Sequence, residues 1–140
     1  MNALERIKPA PTLADILALE REMEQMPNRI HDMTVVHHFA PGVYARELHI
    51  PAGTLLTGKM HKTTHLNVVS AGDITVWTEE GMKRISAPFT FVSYPGTKRI
   101  GLAHTDTVWT TIHVTNETDL DKIEAEVIEA PLIEHQEAVA

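Results

Sequence analysis

Between residues 34 and 114 the chain repeatedly alternates short runs of β-branched and aromatic residues with turn residues. Glycine and proline mark the breaks, as in Ala40-Pro41-Gly42 and Ala71-Gly72-Asp73, because these residue types favour tight turns. The pattern predicts strands at Val35–His38, Val43–Ile50, His65–Ser70, Ile74–Thr78, Phe89–Tyr94, Lys98–Ala103 and Thr107–Val114. Many short strands without helices between them predict an all-β antiparallel sandwich or jelly roll.

Helical patterns flank these strands on both sides. The first predicted helix runs from Thr12 to Met26, with apolar residues at helical spacing, and Pro27 ends it. The second is expected to begin at a Thr118 cap and to end at Pro131. The chain is therefore divided into an N-terminal helical segment at 1–33, a barrel at 34–115, and a C-terminal helix with a tail at 116–140.

The length and composition of the chain argue against several classes of function. The 140 residues suffice for one domain with a sizeable core. A formal net charge of -7 argues against non-specific binding to nucleic acid or anionic lipid. No apolar run approaches the ~20 residues that cross a bilayer, so no membrane partner is expected. The chain has no cysteine and no secretion-signal pattern at its start, which favours a cytoplasmic location.

One spaced motif points to a site. The chain reads Gly53-x5-Lys59-x-His61-x3-His65-x6-Gly72. This resembles the first cupin motif, Gly-x5-His-x-His-x3-4-Glu-x6-Gly, with lysine in place of the first histidine and histidine in place of the glutamate.

The second cupin motif, Gly-x5-Pro-x-Gly-x2-His-x3-Asn, is kept only in part. Aligning its second glycine with Gly96 places Tyr94 on the proline and Arg99 on the ligand histidine, and His104 falls one residue beyond the asparagine.

The resemblance implies a double-stranded β-helix barrel, the cupin jelly roll, flanked here by the two helices. It also implies a homodimer and a small-molecule site inside the barrel, where many cupins hold Mn, Fe, Ni or Zn. Cupins include metal-dependent enzymes, metal-free epimerases and isomerases, and pure binding proteins, and fold alone does not choose among them. The chain also resembles small cupin-type proteins of tailed phages.

The exchanged residues favour an anion site. Lys59, His61 and His65 share odd parity, so on a roughly continuous strand they would face one interior. An arginine fork such as that of Arg99 recognises carboxylate or phosphate, and a lysine adds a point charge. The first hypothesis is a protein that binds a small anion through Lys59, Arg99 and His104.

Catalysis by proton transfer, of the isomerase or epimerase type, would extend that hypothesis. Histidine can act as a general base near pH 7, so His61 and His65 are the candidate catalytic residues, assisted by Tyr94.

Two other hypotheses remain open at this stage. A metal cupin would use His61, His65 and a third ligand, for which His104 is the first candidate, before His113 and His49. Protonated lysine and arginine beside a divalent cation argue against it. The third hypothesis is a non-catalytic protein-interaction module whose barrel is filled by side chains.

Overall fold

The computed structural model describes residues 4–129 and 138–139. After a 3-10 turn at Leu4–Arg6, helix α1 spans Leu13–Glu24, and helix α2 follows the barrel strands at Leu120–Val127. The strands are β1 Val35–Ala40, β2 Val43–Ile50, β3 Leu55–Thr57, β4 His65–Ala71, β5 Asp73–Thr78, β6 Gly81–Ser86, β7 Phe89–Ser93, β8 Ile100–Ala103, β9 Thr107–Val114 and β10 Ala138–Val139.

The strands form two antiparallel sheets. One has the order β1-β2-β9-β4-β7, and the other has the order β10-β3-β8-β5-β6. Consecutive strands repeatedly cross from one sheet to the other, as β4 does when it passes into β5. This confirms the predicted antiparallel jelly roll with a helix on either side.

The two glycines of the first motif make turns that other residues resist. Gly53 has φ +82° and Gly72 has φ +96°, a left-handed region that side chains disfavour. Gly72 lies at the corner between β4 and β5, where a Cβ atom would come within 2.5 Å of the Asp106 carbonyl oxygen. The positions of these two glycines thus reflect backbone geometry that shapes the barrel.

Helix α1 begins where its cap predicts. Thr12 caps it, since its side chain accepts a hydrogen bond from the Asp15 amide while the Asp15 carboxylate accepts one from the Thr12 amide. The buried face of α1 packs on the outside of the second sheet, against Trp77 and Ile100. Its contact residues are Ile16, Leu19 and Met23.

Alternation along the strands divides the barrel interior from its surface. On β2, Tyr44, Leu48 and Ile50 are buried, as expected for side chains two apart on one face. Apolar side chains of both sheets meet between them and form the main core, made of Leu48, Ile50, Leu56, Val69, Ile74, Val76, Ile85, Ala103 and Ala138.

The structure differs from the sequence predictions in several local details. Strands β3 and β6 were not predicted, and residues 58–64 are not the continuation of a strand. Asp119, not Thr118, caps α2, because its carboxylate accepts hydrogen bonds from the Asp121 and Lys122 amides. Helix α2 ends at Val127, well before Pro131, which lies outside the described residues.

Among the described residues, no helix is both long enough and apolar enough to cross a membrane.

Candidate functional site

A cavity of about 280 Å³ lies inside the barrel, between the two sheets and beneath α2. Helix α2 covers this end of the barrel: Ile123 and Val127 are buried against Tyr44, and both also line the cavity. The polar side chains in the cavity wall are His37, Tyr44, Arg46, Lys59, His61, His65, Asn67, Thr97, Arg99, Thr111, His113 and Glu124.

Three imidazoles form a cluster in this wall. The ring centroids of His61 and His65 are 4.2 Å apart, and that of His113 lies 5.3 Å from the first and 4.8 Å from the second. His65 opens β4 and His113 is near the end of β9, so the sheet itself sets their positions.

His61 reaches the cluster from a loop. Its backbone bridges Ile128, and the neighbouring Lys62 amide donates to the Val127 carbonyl oxygen at 2.7 Å. The expected continuous strand through Lys59, His61 and His65 is therefore absent, although all three side chains do line the same cavity.

Burial keeps the imidazoles neutral. Desolvation, assisted by the neighbouring imidazoles and by the arginine charges, lowers the pKa of His61 from 6.5 to about 3. The same causes lower the pKa of His113 from 6.5 to about 4. Burial also lowers the pKa of His65, which is opposed by its hydrogen bond to the Thr63 carbonyl oxygen. At neutral pH the cluster therefore offers lone pairs and N–H donors but no charge.

Two half-buried arginines supply the charge. Arg46 on β2 and Arg99 just before β8 both line the cavity, and burial lowers the pKa of each below its ordinary value. Within the described residues neither guanidinium has a carboxylate within the 4.0 Å of an ion pair, and Arg99 lies 5.3 Å over the Phe91 ring instead. Since guanidinium stays protonated, two positive charges line the cavity without an ion-pair partner among the described residues, and the carboxylates of Glu124 and Glu80 act on Arg46 and Arg99 only as more distant charges.

Lys59 has a different environment from the arginines. Its ammonium group pairs with the Glu124 carboxylate of α2, so its charge is largely neutralised. The pair lies at the cavity mouth and ties α2 to the loop that carries His61. Glu124 also lies close enough to Arg46 to favour its protonated form.

Two residues proposed from the sequence lie elsewhere. The Tyr94 side chain is 64% exposed and does not line the cavity. His104 is exposed, is hydrogen-bonded through Nε2 to the Thr75 hydroxyl at 2.7 Å, and also does not line the cavity. The structure thus brings together Lys59, His61, His65 and Arg99 but not the other two.

Sequence reasoning missed Arg46 and Tyr44 and ranked His113 behind His104. Arg46 and Tyr44 alternate with Leu48 along β2, so strand parity alone could have placed them inside the barrel. The Tyr44 hydroxyl is hydrogen-bonded to Nδ1 of His37 at 2.7 Å, and burial raises its pKa. His113 is 3% exposed, and its Nδ1 atom has no hydrogen-bond partner in the described part of the chain.

The residues do not fit a divalent metal ion. In the described residues no group of three or more histidine and carboxylate side chains is arranged to hold one, although three imidazoles are close. Two unpaired guanidinium groups nearby would further repel a cation.

The fold is similar to several solved structures at low sequence identity. Ectoine synthase from P. lautus matches 82% of this chain and 91% of its own at 13% identity and a TM-score of 0.52. KdgF from Halomonas sp. matches 71% and 88% at 18% identity and a TM-score of 0.51. A cupin-2 domain containing protein from Shewanella frigidimarina NCIMB 400 matches 76% and 96% at 10% identity and a TM-score of 0.50.

Sequence comparison adds no closer relationship, since no family model matches the chain and no curated protein is significantly similar to it. Identities this low establish a shared architecture and leave the chemistry of the cavity to be argued from its own residues.

Proposed function

We propose that this chain, which has the cupin fold, binds a small organic anion in its barrel. The single observation that carries the proposal is the pair of unpaired guanidinium groups of Arg46 and Arg99 in the cavity wall. A half-buried cation without a counterion is costly, and a carboxylate that accepts hydrogen bonds from both arginines would remove that cost. The neutral imidazoles would add N–H donors to the same anion.

Lys59 has a smaller part in this proposal than the sequence suggested. Because Glu124 already pairs with it, the ammonium group offers less net charge to a ligand than either arginine does. Arg46 takes over as the partner of Arg99. The cavity itself also favours ligand binding over the filled barrel of a protein-interaction module.

Thermal stabilisation by small anions tests the proposal. Acetate, hexanoate, benzoate and phosphate would each be titrated into the wild-type protein and into Arg46→Ala and Arg99→Ala variants. Hydrogen bonds to charged groups contribute about 1.5–3 kcal/mol, so each substitution is expected to weaken binding on the order of tenfold or more. Arg84→Ala is the matched control, since Arg84 is exposed, pairs with Asp73 and does not line the cavity. An equal response in all variants would refute the site.

Proton transfer is the enzymatic form of the same proposal, favoured by the neutral imidazole cluster. A carbon acid beside a carbonyl would lose its proton to an imidazole nitrogen, while the electron pair moves to the carbonyl oxygen and the arginines stabilise that charge. Deuterium exchange from solvent into a bound 2-oxo acid would detect the step. We expect His65→Asn to abolish that exchange while the acid still binds; undiminished exchange would exclude this role.

The homodimer expected from the resemblance remains a prediction, and native mass spectrometry would report the subunit number directly.

A further inference from the structure

The cavity is polar at one end and apolar at the other. The polar end lies beneath α2 and holds the side chains of Arg46, Arg99, His61, His65 and His113, with Arg46 one layer nearer the apolar end than His113. Beyond it the wall changes character and consists of Leu48, Ile50, Leu56, Ile74, Val76 and Trp109. A small anion bound only at the polar end would leave the apolar half of the cavity without a contact.

Strand register in the first sheet orders these two ends. Across β2 and β9, Tyr44 pairs with His113, and Leu48 pairs with Trp109 four residues farther along β2. At about 3.4 Å per residue in an antiparallel strand, these two layers are separated by roughly 14 Å along the strand, and Arg46, which pairs with Thr111, lies between them, roughly 7 Å from Leu48. The indole nitrogen of Trp109 donates to Asn67 Oδ1 at 3.0 Å, so its polar atom is satisfied and its ring presents carbon to the cavity.

The second sheet repeats the order. Leu56 pairs with Gly101, which in turn pairs with Val76, and all three line the cavity. Arg99 lies two residues before Gly101 on the same face of the chain, toward the imidazoles. In both sheets, therefore, the side chains that line the cavity change from cationic to aliphatic in the same direction along the barrel.

Gly101 lies beneath two side chains of the apolar end. A Cβ atom at this position would lie 3.2 Å from Leu56 Cδ2 and 3.3 Å from Ile74 Cδ1, which is tighter than ordinary contact. Its φ is not in the left-handed region that demands glycine, so backbone conformation does not require this residue. The missing side chain instead lets Leu56 and Ile74, which both line the cavity, pack directly against strand β8.

We propose, resting on the anion-binding function above, that the ligand is an amphiphilic aliphatic carboxylate of about six to eight carbons, the carboxyl carbon included. Its carboxylate would be held between Arg46 and Arg99, and its tail would lie against Leu48, Trp109 and Val76. A cavity of about 280 Å³ is close to the smallest ligand pockets. At roughly 30 Å³ per water it matches about nine waters, and therefore a molecule with a similar number of non-hydrogen atoms.

A chain-length series tests this inference. Acetate, butyrate, hexanoate, octanoate and dodecanoate would be titrated by calorimetry at pH 7 and below their micelle concentrations. Burial of each methylene is expected to tighten binding by up to about fourfold until the apolar end is full. Affinity should peak at hexanoate or octanoate and fall at dodecanoate. Hexanol, which has the tail without the charge, should bind far more weakly than hexanoate.

Two substitutions at the apolar end distinguish the contribution of the ligand's aliphatic chain to affinity from that of its carboxylate. Gly101→Val fills the apolar end and should move the optimum to shorter acids, whereas Leu48→Ala enlarges it and should move the optimum to longer ones. Circular dichroism would confirm that each variant is folded, and the second remains informative if the first does not fold. Arg99→Ala should weaken all carboxylates by a similar factor without moving the optimum.

The possible failures are distinguishable. Arginine-dependent binding that is independent of chain length would overturn the amphiphilic ligand and leave the anion site standing. Binding of phosphate but of no carboxylate would also overturn the amphiphilic ligand, and it would leave the anion site formed by the arginines standing. Binding of hexanoate that Arg46→Ala and Arg99→Ala leave unchanged would overturn the proposed function itself.

Discussion

Glu124 brings a carboxylate to the mouth of a cavity in which the other charged side chains of the described wall are cations. It pairs with Lys59 and lies near Arg46. We expect Glu124→Gln to tighten hexanoate binding, because the repulsion of the ligand is removed and the ammonium group becomes available. The pair is partly exposed, so the gain should be modest, on the order of threefold to tenfold at low salt.

Glu126→Gln is the matched control for this change, since it removes the same charge from the same helix at a side chain bonded to Thr115 instead. Calorimetric titration of both variants at low and high salt measures the effect. Weaker binding in Glu124→Gln would mean that the carboxylate contacts the ligand, against the arrangement argued here.

At the residue scale the sequence predicted part of the cavity wall. The motif located Lys59, His61 and His65 because its spacing encodes how the barrel closes, whatever side chains occupy it. Arg46 does not fall on a position of either motif. Only the alternation of inward and outward side chains along β2 indicates that it faces the cavity. His113 and His104 could not be ranked from sequence, because that required knowing that the His113 side chain on β9 of the first sheet faces the cavity, whereas His104, just after β8 of the second sheet, does not.

At the element scale, a buried ion pair attaches α1 to the barrel. Glu20 is 0% exposed, accepts a hydrogen bond from the Thr57 hydroxyl at 2.6 Å, and lies 3.1 Å from the ammonium nitrogen of Lys98. Lys98 also donates to the Gly58 carbonyl oxygen at 2.7 Å. Because successive residues face opposite sides, Lys98 points toward the helix while Arg99 points into the cavity.

We expect Glu20→Ala to lower the free energy of unfolding by about 3–5 kcal/mol, because it leaves Lys98 buried and unpaired. The double variant Glu20→Met with Lys98→Met should recover most of that loss, since it removes both charges at similar volume. Glu24→Ala on the same helix controls for the loss of a carboxylate. Urea unfolding of the wild type and the three variants measures the effect, and a double variant no more stable than Glu20→Ala would rule out the coupling.

Element boundaries were predictable where local pattern and tertiary role agree. The limits of β2 and β9 match their alternating sequences, since each has one face in the barrel interior. Strand β3 has only three residues, all buried, so it shows no alternation to detect. Strand β6 is a sheet edge with Met82, Lys83 and Arg84 exposed, and its polar sequence resembles a loop.

At the scale of the whole molecule, the barrel holds neutral imidazoles that the unfolded chain would protonate. The pKa of His61 is about 3 and that of His113 about 4 in the folded protein, against 6.5 for an unperturbed imidazole. Between those values the unfolded state binds more protons, so the free energy of unfolding must fall as the pH falls. Their contribution is fully present above about pH 6.5 and is lost progressively toward pH 4.

Most of this pH window lies above the range in which carboxylates titrate. The loss of stability caused by histidine protonation can therefore be measured apart from the loss caused by carboxylate protonation. The pKa values of Asp73 and Glu47 are lowered, by the Arg84 and His49 hydrogen bonds respectively, so those groups lose their stabilisation only at lower pH. Urea unfolding from pH 7 to pH 4.5, without acetate or any other small carboxylate, should therefore show a slope that the double variant His61→Asn, His113→Asn flattens. His31→Asn, an exposed change outside the cavity wall, should keep the wild-type slope. Between pH 7 and about pH 6, where hexanoate stays ionised, it should also reduce the slope, because an anion between the arginines favours protonated imidazoles beside it. Parallel pH profiles for the wild type and the double variant would show that these histidines are not held neutral in the barrel.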